Sequence, residues 1–159
     1  MFSIIAAIGK NRELGAKGDL VFHIKDDMKY FRNTTTGHKV VMGSNTWKSL
    51  PGKLPGRENI VISYHPISGA DVTVSDLPSF IATYKDSPEE IFIIGGGTIY
   101  KEFLPYATSL YLTEIDASAA NADVFFPDFD KTKYTKTIIK KGKENDLAYA
   151  FTKYNLNQK

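Results

Sequence analysis

Hydrophobic positions in this chain come in short runs that are separated by Gly, Pro, Asn and Ser. The run Phe2–Ile8 is continuous and rich in β-branched and small residues, which predicts a strand buried on both faces. Other short runs predict seven further strands, at Lys39–Met42, Asn59–Ser63, Val72–Val74, Ile91–Ile94, Leu110–Ile115, Tyr134–Lys140 and Leu147–Leu156.

Helical segments fit between several of these strands, at Lys25–Thr34, from Thr46 to Leu50, at Leu77–Tyr84 and at Thr98–Leu104. Asp76 and Pro78 give the third segment a capping residue and a proline in its first turn, and Pro105 ends the fourth. Strands that alternate with helices predict an α/β fold with a mostly parallel central sheet and flanking helices.

The last two predicted strands have no helix between them. Lys141-Gly142 and Asn145-Asp146 have the composition of a hairpin loop, so we expect an antiparallel C-terminal edge. Residues 1–159 contain no repeat and no long linker, and the prediction is one domain over the whole range.

Composition narrows the class of protein. Hydrophobic residues make up 42% and charged residues 24%, which excludes a disordered tail and a collagen-like fibre. The net charge of +2 gives no reason to expect nucleic acid or an anionic membrane as a partner. Absence of cysteine excludes disulfides and thiolate sites. No run approaches the roughly 18 apolar residues that span a bilayer, and no basic region precedes the first apolar run, so we expect a cytoplasmic location.

The segment after residue 24 carries the first candidate for chemistry. Ile24, Met28 and Phe31 have helical spacing, and Asp27 falls on the same apolar stripe. A carboxylate on an apolar face is costly unless it is paired, and burial raises its pKa toward the range useful for proton transfer. Asp27 is either such a functional carboxylate or a helix-start acid that accepts free backbone N–H groups.

Two strand-to-helix junctions, around Gly43-Ser44-Asn45-Thr46 and around Gly95-Gly96-Gly97-Thr98, form the second candidate. Bare N–H groups at helix starts bind phosphate, and two such junctions could hold the two phosphates of a dinucleotide. Neither junction matches the Rossmann or P-loop motif, and a triple glycine is also common in a plain tight turn.

Arg57 follows a Pro-Gly turn and precedes a predicted strand. An arginine at this place is either a surface residue or a bidentate clamp for a carboxylate. The histidines His23, His38 and His65 have no metal-ligand spacing, so no metal site is predicted.

Taken in order, these pieces resemble dihydrofolate reductase of the bacterial chromosomal type over nearly the whole chain. The resemblance is carried by Ile4-Ile5-Ala6-Ala7, Leu14-Gly15, Asp27, Phe31, Met42-Gly43, Thr46-Trp47, Leu54-Pro55-Gly56-Arg57-Glu58-Asn59-Ile60, Ile94-Gly95-Gly96-Gly97, Ile99-Tyr100, Phe103-Leu104-Pro105, Leu110-Tyr111-Leu112-Thr113, Asp123, Phe125-Phe126-Pro127 and Tyr149–Tyr154.

The resemblance implies reduction of 7,8-dihydrofolate to tetrahydrofolate with NADPH, which supplies one-carbon metabolism. Asp27 would bind the pterin and promote its protonation, Thr113 would support the carboxylate, and Phe22 would stand beside them as the third catalytic residue. The implied substrate-binding residues are Ile5, Ala6, Asp27, Met28, Phe31, Leu50, Leu54, Arg57, Ile94, Tyr100 and Thr113, with Arg57 on the glutamate tail. Implied partners are dihydrofolate and antifolate inhibitors, and the chain is expected to be a monomer.

The resemblance also implies a binding site for the cofactor. Its residues would be Ala7, Leu14, Gly15, Asp19, Leu20, Gly43, Ser44, Asn45, Thr46, Ser63, Tyr64, His65, Ile94, Gly95, Gly96, Gly97, Thr98, Ile99 and Tyr100. The peptide bond between Gly95 and Gly96 is expected to be cis, as in the family.

Three departures from the family pattern affect these expectations. Val21-Phe22 replaces the usual Pro-Trp, which removes an indole N–H beside the pterin, and Ala122-Asp123 replaces Gly-Asp, so closure of the active-site loop is expected to differ. Ser44 and Thr98 lie where basic residues usually bind the 2′-phosphate of NADPH. The preference for NADPH over NADH is therefore expected to be weaker than in relatives that have those basic residues.

Two alternatives remain at this stage. A pyrimidine reductase of riboflavin synthesis shares the fold but should lack the pair of Asp27 and Arg57. A non-catalytic folate or dinucleotide binder would keep the fold without the reaction.

Overall fold

Eleven strands and four α-helices follow one another along residues 1–158, the part of the chain that this computed structural model describes; Lys159, the end of the predicted domain, lies outside it. In chain order they are β1 (Phe2–Ile8), β2 (Glu13–Ala16), β3 (Asp19–Leu20), α1 (Lys25–Thr35), β4 (Lys39–Gly43), α2 (Ser44–Ser49), β5 (Glu58–Ile62), β6 (Val72–Val74), α3 (Leu77–Tyr84), β7 (Ile91–Gly95), α4 (Gly97–Phe103), β8 (Ala107–Ile115), β9 (Val124–Phe125), β10 (Tyr134–Glu144) and β11 (Leu147–Leu156).

Eight strands form the main sheet in the order β10-β11-β8-β1-β7-β4-β5-β6. The six strands from β8 to β6 are parallel, and β11 and β10 add an antiparallel edge. The predicted α/β fold is therefore confirmed. A second, small sheet joins β3, β2 and β9.

Burial follows the hydrophobic runs from which the strands were predicted. Phe2 and Ile4 of β1 are fully buried, and Phe2 packs edge-to-face on Phe103 of α4, with ring centroids 5.0 Å apart. On the opposite face of the sheet, Ile5 packs with Val40, Met42, Val61 and Phe92. β1 is a central strand, and its side chains are buried in a hydrophobic cluster on each face of the sheet, as its continuous apolar sequence predicts.

Most element boundaries agree with the prediction to within two residues, and the differences have local causes. Helix α2 begins at Ser44 and not at Thr46, because the extended Gly43 takes the N-cap position. A 3-10 turn over Leu104–Tyr106 follows α4. Pro105 lies at the start of this turn, where its missing N–H leaves no hydrogen bond unmade. The strands β2, β3 and β9 were not predicted, because two to four residues carry too little alternation.

The C-terminal hairpin is tighter than predicted. Strand β10 continues to Glu144, so that only Asn145 and Asp146 form the turn. Both have positive φ, 50° and 64°, a conformation that Asn and Asp tolerate and that a two-residue hairpin turn requires. Among the described residues, no helix has the length and apolar character needed to cross a membrane.

Candidate active site

Asp27 lies in the first turn of α1 and faces the sheet. The Thr113 hydroxyl of β8 donates a hydrogen bond of 2.6 Å to Asp27 Oδ1. Thr113 is 2% exposed and the Asp27 side chain is half-buried. Burial raises the pKa of Asp27, and the bond from Thr113 opposes part of that rise. The pair is thus a desolvated carboxyl group whose orientation is fixed by a buried hydroxyl.

Beside Asp27 the structure gathers most of the apolar residues that the resemblance assigns to the substrate slot. Ile5 is buried, and four half-buried side chains pack in the same cluster: Phe31, Leu50, Leu54 and Ile94. Met28 does not join them. Its predicted place on the buried stripe is wrong, since the buried side of α1 follows Ile24, Asp27 and Phe31 and leaves Met28 63% exposed.

Arg57 is not the surface arginine that its turn position allowed. Its side chain is 8% exposed, Nη1 donates to Thr35 Oγ1 at 3.0 Å, and Nε donates to the Pro55 carbonyl at 3.0 Å. Burial lowers the pKa of Arg57, and the nearby charge of Arg32 lowers it further. Nη2 makes no hydrogen bond within residues 1–158, so the fixed guanidinium keeps donors for an anionic group.

The fully buried Asn59 positions this arginine. The sequence placed Asn59 in a strand and in the family motif but gave it no role. Its side chain accepts from Leu54 N and donates to the carbonyls of Leu54 and Arg57, each at 2.9 Å. The turn that carries Leu54 and Arg57 is therefore closed by one amide.

The two glycine junctions lie side by side, because they follow the neighbouring strands β4 and β7. A Cβ at Gly95 or Gly96 would stand 3.4 or 3.5 Å from Thr46 Oγ1, and a Cβ at Gly43 would stand 3.0 Å from Ile99 Cγ1. The Gly95–Gly96 peptide bond is cis, as expected, and Gly95 has a φ of 133° that other residues rarely adopt. Glycine keeps this cleft free of side chains, which suits the close approach of a diphosphate.

Tyr100, which the resemblance assigns to both substrate and cofactor, is 4% exposed. Its hydroxyl donates 2.8 Å to the Ile5 carbonyl, so it ties α4 to β1. Burial raises the pKa of Tyr100, with a further rise from the charge of Asp27. The phenol is thus a neutral hydrogen-bond donor to β1.

The end of β1 and the segment between β1 and α1 contain the remaining residues that are predicted to border the nicotinamide. Phe22 and Ala7 are half-buried in one cluster with Ile24. The half-buried Ala6 packs with the main core, which is the hydrophobic cluster around Phe2 and Phe103. Leu14 is 8% exposed and its side chain also faces the main core, so only its backbone is free to border a cofactor. Gly15 is buried, while Asp19 and Leu20 are exposed.

Asp123, which follows Ala122, binds the segment between β1 and α1. Asp123 accepts a hydrogen bond from Lys17 N at 3.0 Å, and its own N–H donates to the Gly15 carbonyl at 2.9 Å. Sequence reasoning missed Glu13, which is 2% exposed and accepts from Asn11 N at 2.7 Å and Ala119 N at 2.6 Å. Burial alone would raise the pKa of Glu13, but these backbone bonds lower it below its usual value.

The residues expected beside a 2′-phosphate carry no permanent positive charge. Ser44 starts α2 and Thr98 lies in the first turn of α4, Ser63 accepts a hydrogen bond from His65 N, and Tyr64 is 89% exposed. Lys39, at the start of the neighbouring strand β4, binds Glu58 at 3.3 Å and Glu89 at 2.6 Å. Lys39 is thereby committed to another edge of the sheet.

Comparison with known proteins gives a consistent result. A family model described as dihydrofolate reductase matches residues 1–156. The dihydrofolate reductase of Buchnera aphidicola subsp. Acyrthosiphon pisum is 39% identical over 154 residues, which cover 94% of this chain and 95% of that protein. The dihydrofolate reductase of Bacillus subtilis is 36% identical over 160 residues (97% and 94%), and that of Neisseria gonorrhoeae is 39% identical over 158 residues (96% of each).

The raised pKa of Asp27 predicts how stability depends on pH. The wild type loses free energy of unfolding as pH rises from the unfolded pKa of 3.8 through the higher folded pKa, about 1.4 kcal/mol per unit of difference. Asp27→Asn keeps an acceptor for Thr113 and removes the charge, so its free energy of unfolding should exceed that of the wild type at pH 7. The gain should vanish below pH 3.8.

Urea denaturation at both pH values measures the effect. Asp86→Asn, at an exposed position in the loop after α3, is the matched control and should give no gain at pH 7. A less stable Asp27→Asn protein at pH 7 would contradict the desolvation of Asp27.

Proposed function

The chain belongs to the dihydrofolate reductase family and is an oxidoreductase of dihydrofolate, and we propose that it uses NADPH as hydride donor and Asp27 to bind and help protonate the pterin. One observation carries the proposal: the half-buried Asp27 carboxyl group, held by Thr113, lies beside an apolar slot near the buried Arg57. The family match does not favour the pyrimidine reductase or the non-catalytic binder.

Reduction of a C=N bond needs a hydride at carbon and a proton at nitrogen. The bound nicotinamide cofactor supplies the hydride. Asp27 offers two oxygens to the amidine-like edge of the pterin, which matches paired charge-assisted hydrogen bonds. The apolar side chains of Ile5, Phe31 and Ile94 offer flat contact area for the ring and exclude water from its faces.

The surroundings of Asp27 also suit it to promote proton transfer. Burial raises the pKa of Asp27 and brings it nearer to the pH of the reaction, where a group exchanges protons most effectively. The bond from Thr113 uses one lone pair of Oδ1 and fixes the carboxyl plane. A water molecule would carry the proton between the carboxyl group and the pterin nitrogen.

Arg57 would bind the α-carboxylate of the glutamate tail. Its Nη1 and Nε are held by Thr35 and the Pro55 carbonyl, so the planar fork loses little freedom when it binds an anion.

The glycine junctions at Gly43 and Gly95-Gly96, with the Thr46 hydroxyl between them, would bind the pyrophosphate. Ser44 and Thr98 would meet the 2′-phosphate with hydroxyl groups alone, so NADH remains a weaker second donor. A cytoplasmic location, a monomeric state and inhibition by antifolates stay predictions.

Asp27→Asn tests the proposed reaction directly. At neutral pH we expect loss of dihydrofolate-dependent NADPH oxidation by about 10²-fold or more, because a positioned proton-transfer group contributes that much. The loss should shrink at low pH, where solvent protonates the substrate. The assay is spectrophotometric, with Asp86→Asn as the control. Wild-type turnover by Asp27→Asn at pH 7 would overturn the role of Asp27, and an inactive wild type would overturn the proposed function.

Arg57→Leu tests recognition of the tail. Loss of a charge-assisted bidentate contact should weaken folate binding by about 1.5–3 kcal/mol. Affinity for a pterin without a glutamate tail should barely change, since that ligand does not reach residue 57. Calorimetric titration of both ligands gives the comparison, and equal losses for the two would contradict the assignment.

Ser44→Arg tests the choice of cofactor. A new guanidinium beside the 2′-phosphate should raise NADPH affinity by about 1.5–3 kcal/mol and leave NADH nearly unchanged. The measurement is the ratio of kcat/KM for the two cofactors. Ser49→Arg, at the far end of the same helix, adds the same charge and should not change that ratio. A strong wild-type preference that Ser44→Arg leaves unaltered would mean that another group binds the phosphate.

A further inference from the structure

The first turn of α1, which carries Asp27, has no side-chain cap from its own segment. Its N-cap position is Ile24, whose side chain has no hydrogen-bonding group. The first backbone N–H groups of a helix need acceptors from elsewhere. Glu144, at the end of β10, supplies them: Oε2 accepts from Lys25 N at 2.8 Å and Oε1 accepts from Asp26 N at 3.2 Å. A carboxylate at this end also opposes the positive pole of the helix.

A second contact joins the same hairpin to the same turn. The Tyr149 hydroxyl of β11 donates 2.6 Å to Asp26 Oδ2, and Tyr149 is 5% exposed. The exposed Asp26 therefore has a buried partner for one of its carboxylate oxygens. Tyr149 pairs with Gly142 across the hairpin, and a Cβ at Gly142 would overlap the phenol ring. Glycine at 142 is what lets Tyr149 lie across β10 toward α1.

The hairpin turn between β10 and β11 determines the positions of the Glu144 and Tyr149 side chains. Asn145 and Asp146 form a two-residue connection, and the register places Glu144 opposite Leu147 and Gly142 opposite Tyr149. A hairpin of this length allows no slip without moving each side chain to the other face. Both arms of the hairpin thus contact the first turn of α1 at once.

We propose that Glu144 is a positioning residue for Asp27: it caps α1 from the β10–β11 hairpin and so holds the carboxyl group in register with Thr113. The inference rests on the proposed function. Asp27 is the third residue of α1, and the Thr113 contact of 2.6 Å requires that its turn stay helical. Without the cap, Lys25 and Asp26 lose their acceptors and the turn frays. Small displacements of a catalytic group are costly to the rate.

Glu144→Ala is the principal variant, and Glu144→Gln keeps the side-chain length with one acceptor. Lys143→Ala removes a neighbouring exposed side chain and is the matched control. Amide hydrogen exchange of Lys25 and Asp26 in the unliganded protein should accelerate in Glu144→Ala, accelerate less in Glu144→Gln and not change in Lys143→Ala. The rate of hydride transfer at pH 7 should fall by about tenfold in Glu144→Ala and by less in Glu144→Gln.

A double-mutant cycle separates positioning from a general loss of stability. If Glu144 acts through Asp27, Glu144→Ala should cost no further rate in the Asp27→Asn background. An equal tenfold loss in both backgrounds would overturn the proposal, as would faster amide exchange with an unchanged rate. If Glu144→Ala does not fold, the same double-mutant cycle is measured with Glu144→Gln, and an equal loss of rate in both backgrounds again overturns the proposal. An inactive wild type would refute the proposed function, while an active wild type with additive losses refutes this inference alone.

Discussion

The hydrogen bond between Thr113 and Asp27 satisfies two groups that neither the sheet nor α1 could bury alone. Thr113 lies on β8 between Ala7 of β1 and Phe151 of β11, where water does not reach its hydroxyl. Asp27 faces the same interface and needs a donor to offset the loss of hydration. Apolar packing continues beside this pair, with the Tyr30 ring stacked on the Phe151 ring at a centroid distance of 4.2 Å. This contact, together with the bonds from Glu144 and Tyr149 to the first turn, therefore sets how α1 lies on the sheet.

The order of the strands brings the other parts of the site to the same place. β1 lies between β8 and β7, and β4 is the next strand beyond β7. All four are parallel, so their carboxyl ends share one edge of the sheet, which is where open α/β sheets bind ligands. Ala7, Thr113, the Gly95-Gly96 peptide and Gly43 are at or near these ends. The residues proposed for substrate and cofactor thus adjoin because of topology, although they are far apart in sequence.

Local patterns in the sequence predicted those features that depend on residues close together along the chain. The apolar runs gave the strands of the main sheet, and helical spacing placed Asp27 toward the core. Met28 shows the limit of that reasoning, because helical spacing alone does not show which part of an apolar helix face the sheet covers. Arg57 shows another limit, since its burial depends on Thr35 of α1, 22 residues away. Glu13 and Glu144 have partners more than 100 residues distant, and no local pattern carries such contacts.

The segment between β1 and α1 is held by two carboxylates of very different exposure. Glu13 accepts two backbone N–H groups in a buried place, where hydrogen bonds are strong and an unpaired group is costly. Asp123 accepts from Lys17 N in solvent, where water competes for both groups and the net stabilisation is small. The base of the segment, next to Phe22, is therefore fixed, while Ala16–Leu20 is held weakly. A segment divided in this way lets its tip move while its base stays in place, which is the behaviour of loops that close over ligands.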